Sequence, residues 1–108
     1  MEKVIFFAFS LVIGLLGTTF FFKNVYITKD NTLGNRGLIF SKMNQYEKAL
    51  IDFDMAIKLN PQNPNNYLNR AFSYYKLGLI DKAKQDVQTI EKMGVAVDPS
   101  FRTLLQHR

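Results

Sequence analysis

The 108-residue chain has no cysteine and a single histidine, His107, which stands next to its end. Without cysteine there is no disulfide framework, no thiol nucleophile and no route to lipid attachment through sulfur. A lone histidine beside a chain end is a solvated side chain far more often than a ligand or a base. Glycine-rich phosphate loops are also missing, because Gly34 and Gly37 fall inside a helical pattern rather than after a strand. Asp52 and Asp54 project from different faces of one helix and do not form a convergent carboxylate pair. These absences remove the usual starting points of catalysis, so neither an enzyme nor a cofactor or metal site is expected. Proline is scarce as well: Pro61, Pro64 and Pro99 are the full set, and each reads as punctuation.

Charge of one sign is not concentrated. The formal net charge is +5, which by itself invites nucleic acid. Yet residues 30–108 carry eleven basic and eight acidic side chains, interspersed as in Glu47-Lys48 and Asp81-Lys82. That is a solvated helix surface, and nucleic-acid binding is not expected.

A repeat is present. Residues 30–63 laid over 64–97 give eight identities, Asn31/Asn65, Asn35/Asn69, Arg36/Arg70, Lys42/Lys76, Lys48/Lys82, Ala49/Ala83, Asp52/Asp86 and Lys58/Lys92, where chance gives about two. A 34-residue period points to stacked pairs of helices. Leu33, Gly37 and Phe40 recur at helical spacing, and so do Ala49, Phe53, Ala56 and Ile57. Met43-Asn44-Gln45 is a short polar break that makes these helices antiparallel neighbours. Pro61 stops the second helix, Asn63 caps the third and Pro64 suits its first position, while Gly78 ends it. Helices are predicted over 32–43, 46–59, 64–77 and 80–93. Asp98-Pro99 then starts a short one whose stripe is Phe101, Leu104 and Leu105. It reads as a lid on the last pair, with the first helix of a third unit as the competing view.

Residues 30–63 resemble a full tetratricopeptide repeat, with Gly37 and Phe40 on the first helix, Tyr46, Ala49, Phe53 and Ala56 on the second, and Pro61 closing the unit. Residues 64–97 match through Tyr67, Ala71, Tyr74, Gly78, Ala83 and Val87, but Ile90 replaces a small residue and Val95 the closing proline. The resemblance implies a non-catalytic protein–protein interaction module whose first helices line a concave groove. The residues it places there are Asn35, Leu38, Ser41 and Lys42, with Asn69, Phe72, Tyr75 and Lys76 beside them. Amides bond an extended peptide's backbone and rings bury its side chains. Lysines and asparagines hold a peptide's terminal carboxylate in some family members; here Gly34 and Leu68 stand where such a clamp wants lysine. Arg36, Arg70, Asp52 and Asp86 read as structural: an arginine on a first helix pairs with an aspartate on a second, within a unit or between units.

At the front, residues 4–22 form nineteen consecutive uncharged residues, flanked by Lys3 and Lys23. As a helix they extend roughly 28 Å, close to the hydrocarbon thickness of a bilayer. The run is too long for a signal-peptide core, and Phe20-Phe21-Phe22 is no cleavage site. The expectation is a retained anchor (1–23), a linker (24–29), repeat units at 30–63 and 64–97, and a capping helix (98–108). The fold class is therefore all-α: a transmembrane helix, a short α-solenoid of two helix pairs, and a cap. A single span at the amino terminus favours export of the downstream chain, so the repeats are expected outside the cytoplasm, although Lys23 and Lys29 argue the other way. The leading function is a membrane-tethered adaptor for a peptide segment or protein partner. The alternative is a structural subunit of a larger membrane or envelope complex, whose repeats mediate assembly or self-association.

Overall fold

The computed structural model describes residues 17–107, with side chains from Thr28 onward. Five helices follow one another: α1 (Gly17–Lys42), α2 (Tyr46–Leu59), α3 (Pro64–Lys76), α4 (Ile80–Lys92) and α5 (Pro99–Gln106). There is no strand among the described residues. The later four begin and end within two residues of the expected positions. The first does not: α1 runs straight through residues 24–29, the expected linker. The physical reason is the lack of a breaker. Between Phe22 and Asn31 there is neither proline nor glycine to interrupt the helix. The expected membrane span lies mostly outside the described residues. Among the described ones, no helix is long and apolar enough to cross a membrane.

Three helices end in the same way. Asn44, Gly78 and Gly94 each take a positive φ. The residue after each donates its backbone N–H to a carbonyl in the preceding turn: Gln45 to Phe40, Leu79 to Tyr74 and Val95 to Ile90. These Schellman turns satisfy carbonyls that the helix end leaves orphaned. The α2 helix stops instead at Asn60-Pro61, without left-handed geometry. Starts follow the sequence closely. The Asn63 side chain accepts from the Asn65 N–H ahead of α3, and the Asp98 side chain accepts from the Ser100 N–H ahead of α5.

The core repeats with the sequence. Buried Ala49, Asp52, Phe53 and Ala56 on α2 correspond, one repeat later, to buried Ala83, Asp86, Val87 and Ile90 on α4. Gly37 is where α1 comes closest to α2: a Cβ there would lie 2.7 Å from the Phe53 ring. Ile90, out of place in the family's pattern, joins Val97 and Leu105 in the core cluster. It fills space at the end of the stack where a short helix, not a full unit, closes the core. The cap itself keeps the repeat's register, because Phe101 and Leu105 stand one full period after Tyr67 and Ala71. It is thus both views at once: a lid built on the first-helix pattern of a unit.

Candidate peptide groove

The repeated charges form two matching ion pairs. Arg36 Nε and Nη2 donate to the Asp52 carboxylate at 2.7 Å each, and Arg70 Nε and Nη2 donate to Asp86 at 2.9 and 2.6 Å. Both join the first helix of a unit to its second, so of the two arrangements open to the repeated charges these pairs close within the unit. Arg70 does more, donating Nη1 to Asp54 of the preceding unit at 2.9 Å and lying 5.6 Å from the ring centres of both Tyr67 and Tyr74. The Asp86 hydrogen bond holds the Arg70 guanidinium above its ordinary range, against the opposing effect of burial. Burial in turn raises the Tyr74 phenol, with Arg70 opposing. The remaining repeated lysines have local roles too. Lys48 and Lys82 sit over the Phe40 and Tyr74 rings. Lys42, Lys58, Lys76 and Lys92 each fall in the last turn of a helix, where the dipole favours a cation.

The seam between units is polar. Asp30 on α1 is fully buried and its Oδ2 accepts from the Nδ2 groups of Asn63 at 3.0 Å and Asn66 at 3.1 Å. Gly34 is required there, since a Cβ would collide with the Asn66 amide oxygen. The residue therefore belongs to the seam and not to a clamp. Sequence reasoning does not find Asp30, Asn63 and Asn66 as a seam, because a contact between units has no short-range signal.

The eight expected groove residues divide into two sets. Asn35, Leu38 and Lys42 lie along one stripe of α1, and Asn69, Phe72 and Lys76 along the matching stripe of α3, all exposed or half-buried. The Asn35 and Asn69 side chains make no hydrogen bond among the described residues, and Lys76 Nζ lies 5.4 Å from the Phe72 ring centre. Ser41 and Tyr75 leave this set. Ser41 is buried, at 6 % exposure, and Tyr75 packs edge-on against Phe101 of the cap at 6.1 Å. Their shared position turns toward the next unit rather than toward open solvent, and in unit two that neighbour is α5. Phe101 also stands 6.4 Å from Phe72, so the cap adds an aromatic wall at one end of the stripe. The available clue was that Phe101 repeats the position of Tyr67. Among the described residues no cluster of His, Cys, Asp and Glu is arranged to hold a metal.

Two tetratricopeptide repeat profiles match the chain, over residues 31–63 and 53–85. The chain belongs to the tetratricopeptide repeat family. The first match has the frame of unit one; the second is shifted, running from Phe53 through α3 into α4. Hsp70-Hsp90 organizing protein 2 of Arabidopsis thaliana is 35 % identical over 66 residues, 61 % of this chain and 11 % of that protein. U-box domain-containing protein 70 of Oryza sativa subsp. japonica is 31 % identical over 67 residues, 62 % of this chain and 8 % of that protein. A TPR repeat-containing protein of Methanocaldococcus jannaschii is 35 % identical over 65 residues, 54 % of this chain and 12 % of its own length. The chain thus spans about a tenth of the length of these relatives. No solved structure matches it significantly. The family is one of protein–protein interaction modules, and its repeats are typically non-catalytic.

Proposed function

We propose that this tetratricopeptide repeat protein is a membrane-tethered adaptor that holds an extended segment of a protein partner along the stripes of α1 and α3. One observation carries the reading: Asn35 and Asn69 recur at one register, exposed or half-buried, with amides that bond nothing else among the described residues. The other repeated side chains with a visible role serve a helix end, an ion pair, an aromatic ring, the seam between units or the core. Leu38 and Phe72 supply apolar contact beside the asparagines, while Lys42 and Lys76 favour a partner segment carrying acid. The apolar run at residues 4–22 is the proposed tether, with the repeats on the outer side of the membrane.

The name of one relative, Hsp70-Hsp90 organizing protein 2, makes chaperone-derived segments the first peptides to test. Isothermal titration of such peptides, and of acidic peptides selected by display, should give saturable binding. Asn35→Ala with Asn69→Ala is expected to weaken it by at least tenfold without lowering the melting temperature. Unchanged affinity in that double variant rejects the groove. The tether has its own test: the chain should stay with membranes through alkaline carbonate washing, and recovery as a soluble form rejects it.

A further inference from the structure

Four positions of the first helix have one environment in unit two and another in unit one. On α3, Asn66, Arg70, Ser73 and Leu77 follow each other at helical spacing, and unit one is stacked on them. Asn66 donates to Asp30 of α1, and Arg70 donates to Asp54 of α2. Ser73 is fully buried and Leu77 half-buried. Their counterparts in unit one are Thr32, Arg36, Ile39 and Met43, and all four are exposed. Ile39 and Met43 are each 57 % exposed, and the Arg36 side chain is 61 % exposed where that of Arg70 is 19 %. Identical register gives identical direction from the helix axis. The difference between the units is the helix pair that precedes α3 and has no described counterpart before α1.

The other end of the stack is closed. Leu105 of α5 is 2 % exposed within the cluster that contains Val87 and Ile90, and Arg102 pairs with Glu91 at 2.8 Å. Among the described residues the stack is thus covered by α5 at one flank, while the flank of α1 is covered by nothing.

We infer that the open flank of α1 is a second protein-docking surface, one that takes an amphipathic helix of a partner carrying a carboxylate placed as Asp54 is. The structure already shows what covers this position when it is covered: α2, laid on α3, with Asp54 meeting Nη1 of Arg70. Arg36 spends Nε and Nη2 on Asp52 just as Arg70 does on Asp86. The residue one period before Asp54 is Phe20, which has no carboxylate to offer Arg36.

Charge selects among the possible occupants. The flank is apolar with a basic margin: Ile39 and Met43 share it with Lys29 and with Arg36, whose Nε and Nη2 are used on Asp52. A second copy docked face to face would set these cations against themselves. The α2 helix of another copy would have to leave its place on α3 and give up the Asp54–Arg70 contact to insert. Lipid is disfavoured by distance. Along the continuous α1, Ile39 lies about 26 Å beyond Phe22, the end of the apolar run. An acidic amphipathic helix from a different protein satisfies both the apolar pair and the guanidinium. None of these residues belongs to the groove stripes, so the two surfaces can be occupied together.

The probe is a hydrocarbon-stapled, fluorescent peptide with the sequence of residues 46–59, which includes Asp54 and is held helical. It is titrated by anisotropy into the full chain in lipid nanodiscs. Saturable binding is expected. It should weaken about tenfold when the peptide carries Asp54→Asn, and vanish in the chain variant Ile39→Lys with Met43→Lys. The peptide change cannot affect the fold of the chain, so the first comparison stands even if the double variant is unstable. Absence of saturable binding overturns the inference. So does binding indifferent to the Ile39 and Met43 changes, which places the peptide elsewhere. Crosslinks from Met43 to Met43 of a second copy, or flank-dependent binding to anionic vesicles of phosphatidylglycerol in preference to the peptide, overturn it in favour of self-association or lipid.

Discussion

Arg70 and Arg36 occupy the same register with different surroundings, and single substitutions should report that difference. Removing one partner of a buried ion pair leaves the other uncompensated, at a cost of about 3 kcal/mol. Asp86→Ala is expected to approach that cost, because Arg70 is mostly buried and held between two rings. Asp52→Ala should cost distinctly less, since water reaches the Arg36 guanidinium that it leaves behind. Urea unfolding of the two variants checks the order, and equal losses would contradict the burial argument. Gly37 faces the Phe53 ring with no room for a side chain. Gly37→Leu must displace the Phe53 ring and is expected to lower stability by about 1–3 kcal/mol. A parent-like thermal melt would show that α1 and α2 do not pack in this register.

Helix ends decide how far each element runs. The turn after α1 uses Asn44 at φ 60°, where its counterpart Gly78 has no Cβ to accommodate. Asn44→Gly is therefore expected to stabilise by about 0.5–1 kcal/mol, read as a higher denaturation midpoint. The α5 helix depends on its cap in a pH-sensitive way. The Ser100 hydroxyl, and then its backbone N–H, hold the Asp98 carboxyl below its usual range. A folded value lower than the unfolded one gives stability that is present above the unfolded value, about 3.9, and is lost as pH falls through the folded one. Hydrogen exchange at the Leu105 amide should thus accelerate only below about pH 4, relative to the intrinsic rate. Asp98→Asn, which keeps a capping oxygen, should abolish that acid-specific change. At neutral pH the variant should leave α5 docked.

Across the whole molecule, two units and a lid make a short stack. Repeat proteins build their cores by stacking neighbours, and about three units are generally needed for stability. Leu38, Phe72, Ile39 and Met43 leave apolar surface uncovered on two faces. The expectation is a marginal fold that gains stability from whatever binds it. Thermal melts with increasing peptide concentration should show a rising midpoint. A high midpoint indifferent to every added peptide would mean that neither face is a binding surface under those conditions.

Much of this protein is written in local sequence. The 34-residue period, the alanine and phenylalanine spacing of α2, the caps at Asn63 and Asp98 and the stop at Gly78 each act through short, regular spacings, so they are legible without a fold. The structural role of Arg36, Arg70, Asp52 and Asp86 is legible too, but that each repeated pair closes within its unit, while Arg70 also reaches Asp54 of the unit before, is decided by packing. The extension of α1 through residues 24–29 escapes that reading for a local reason as well: the stretch lies between the apolar run and the first repeat, but it holds no proline or glycine to interrupt a helix. Other features depend on distant segments meeting. The buried Asp30 among Asn63 and Asn66, the loss of Ser41 and Tyr75 from the groove, and the contrast between Ser73 and Ile39 all come from the helix stacked beside each residue. Periodicity establishes which residues share a face. Only the tertiary structure decides which of those faces is covered, because burial belongs to the neighbour as much as to the residue.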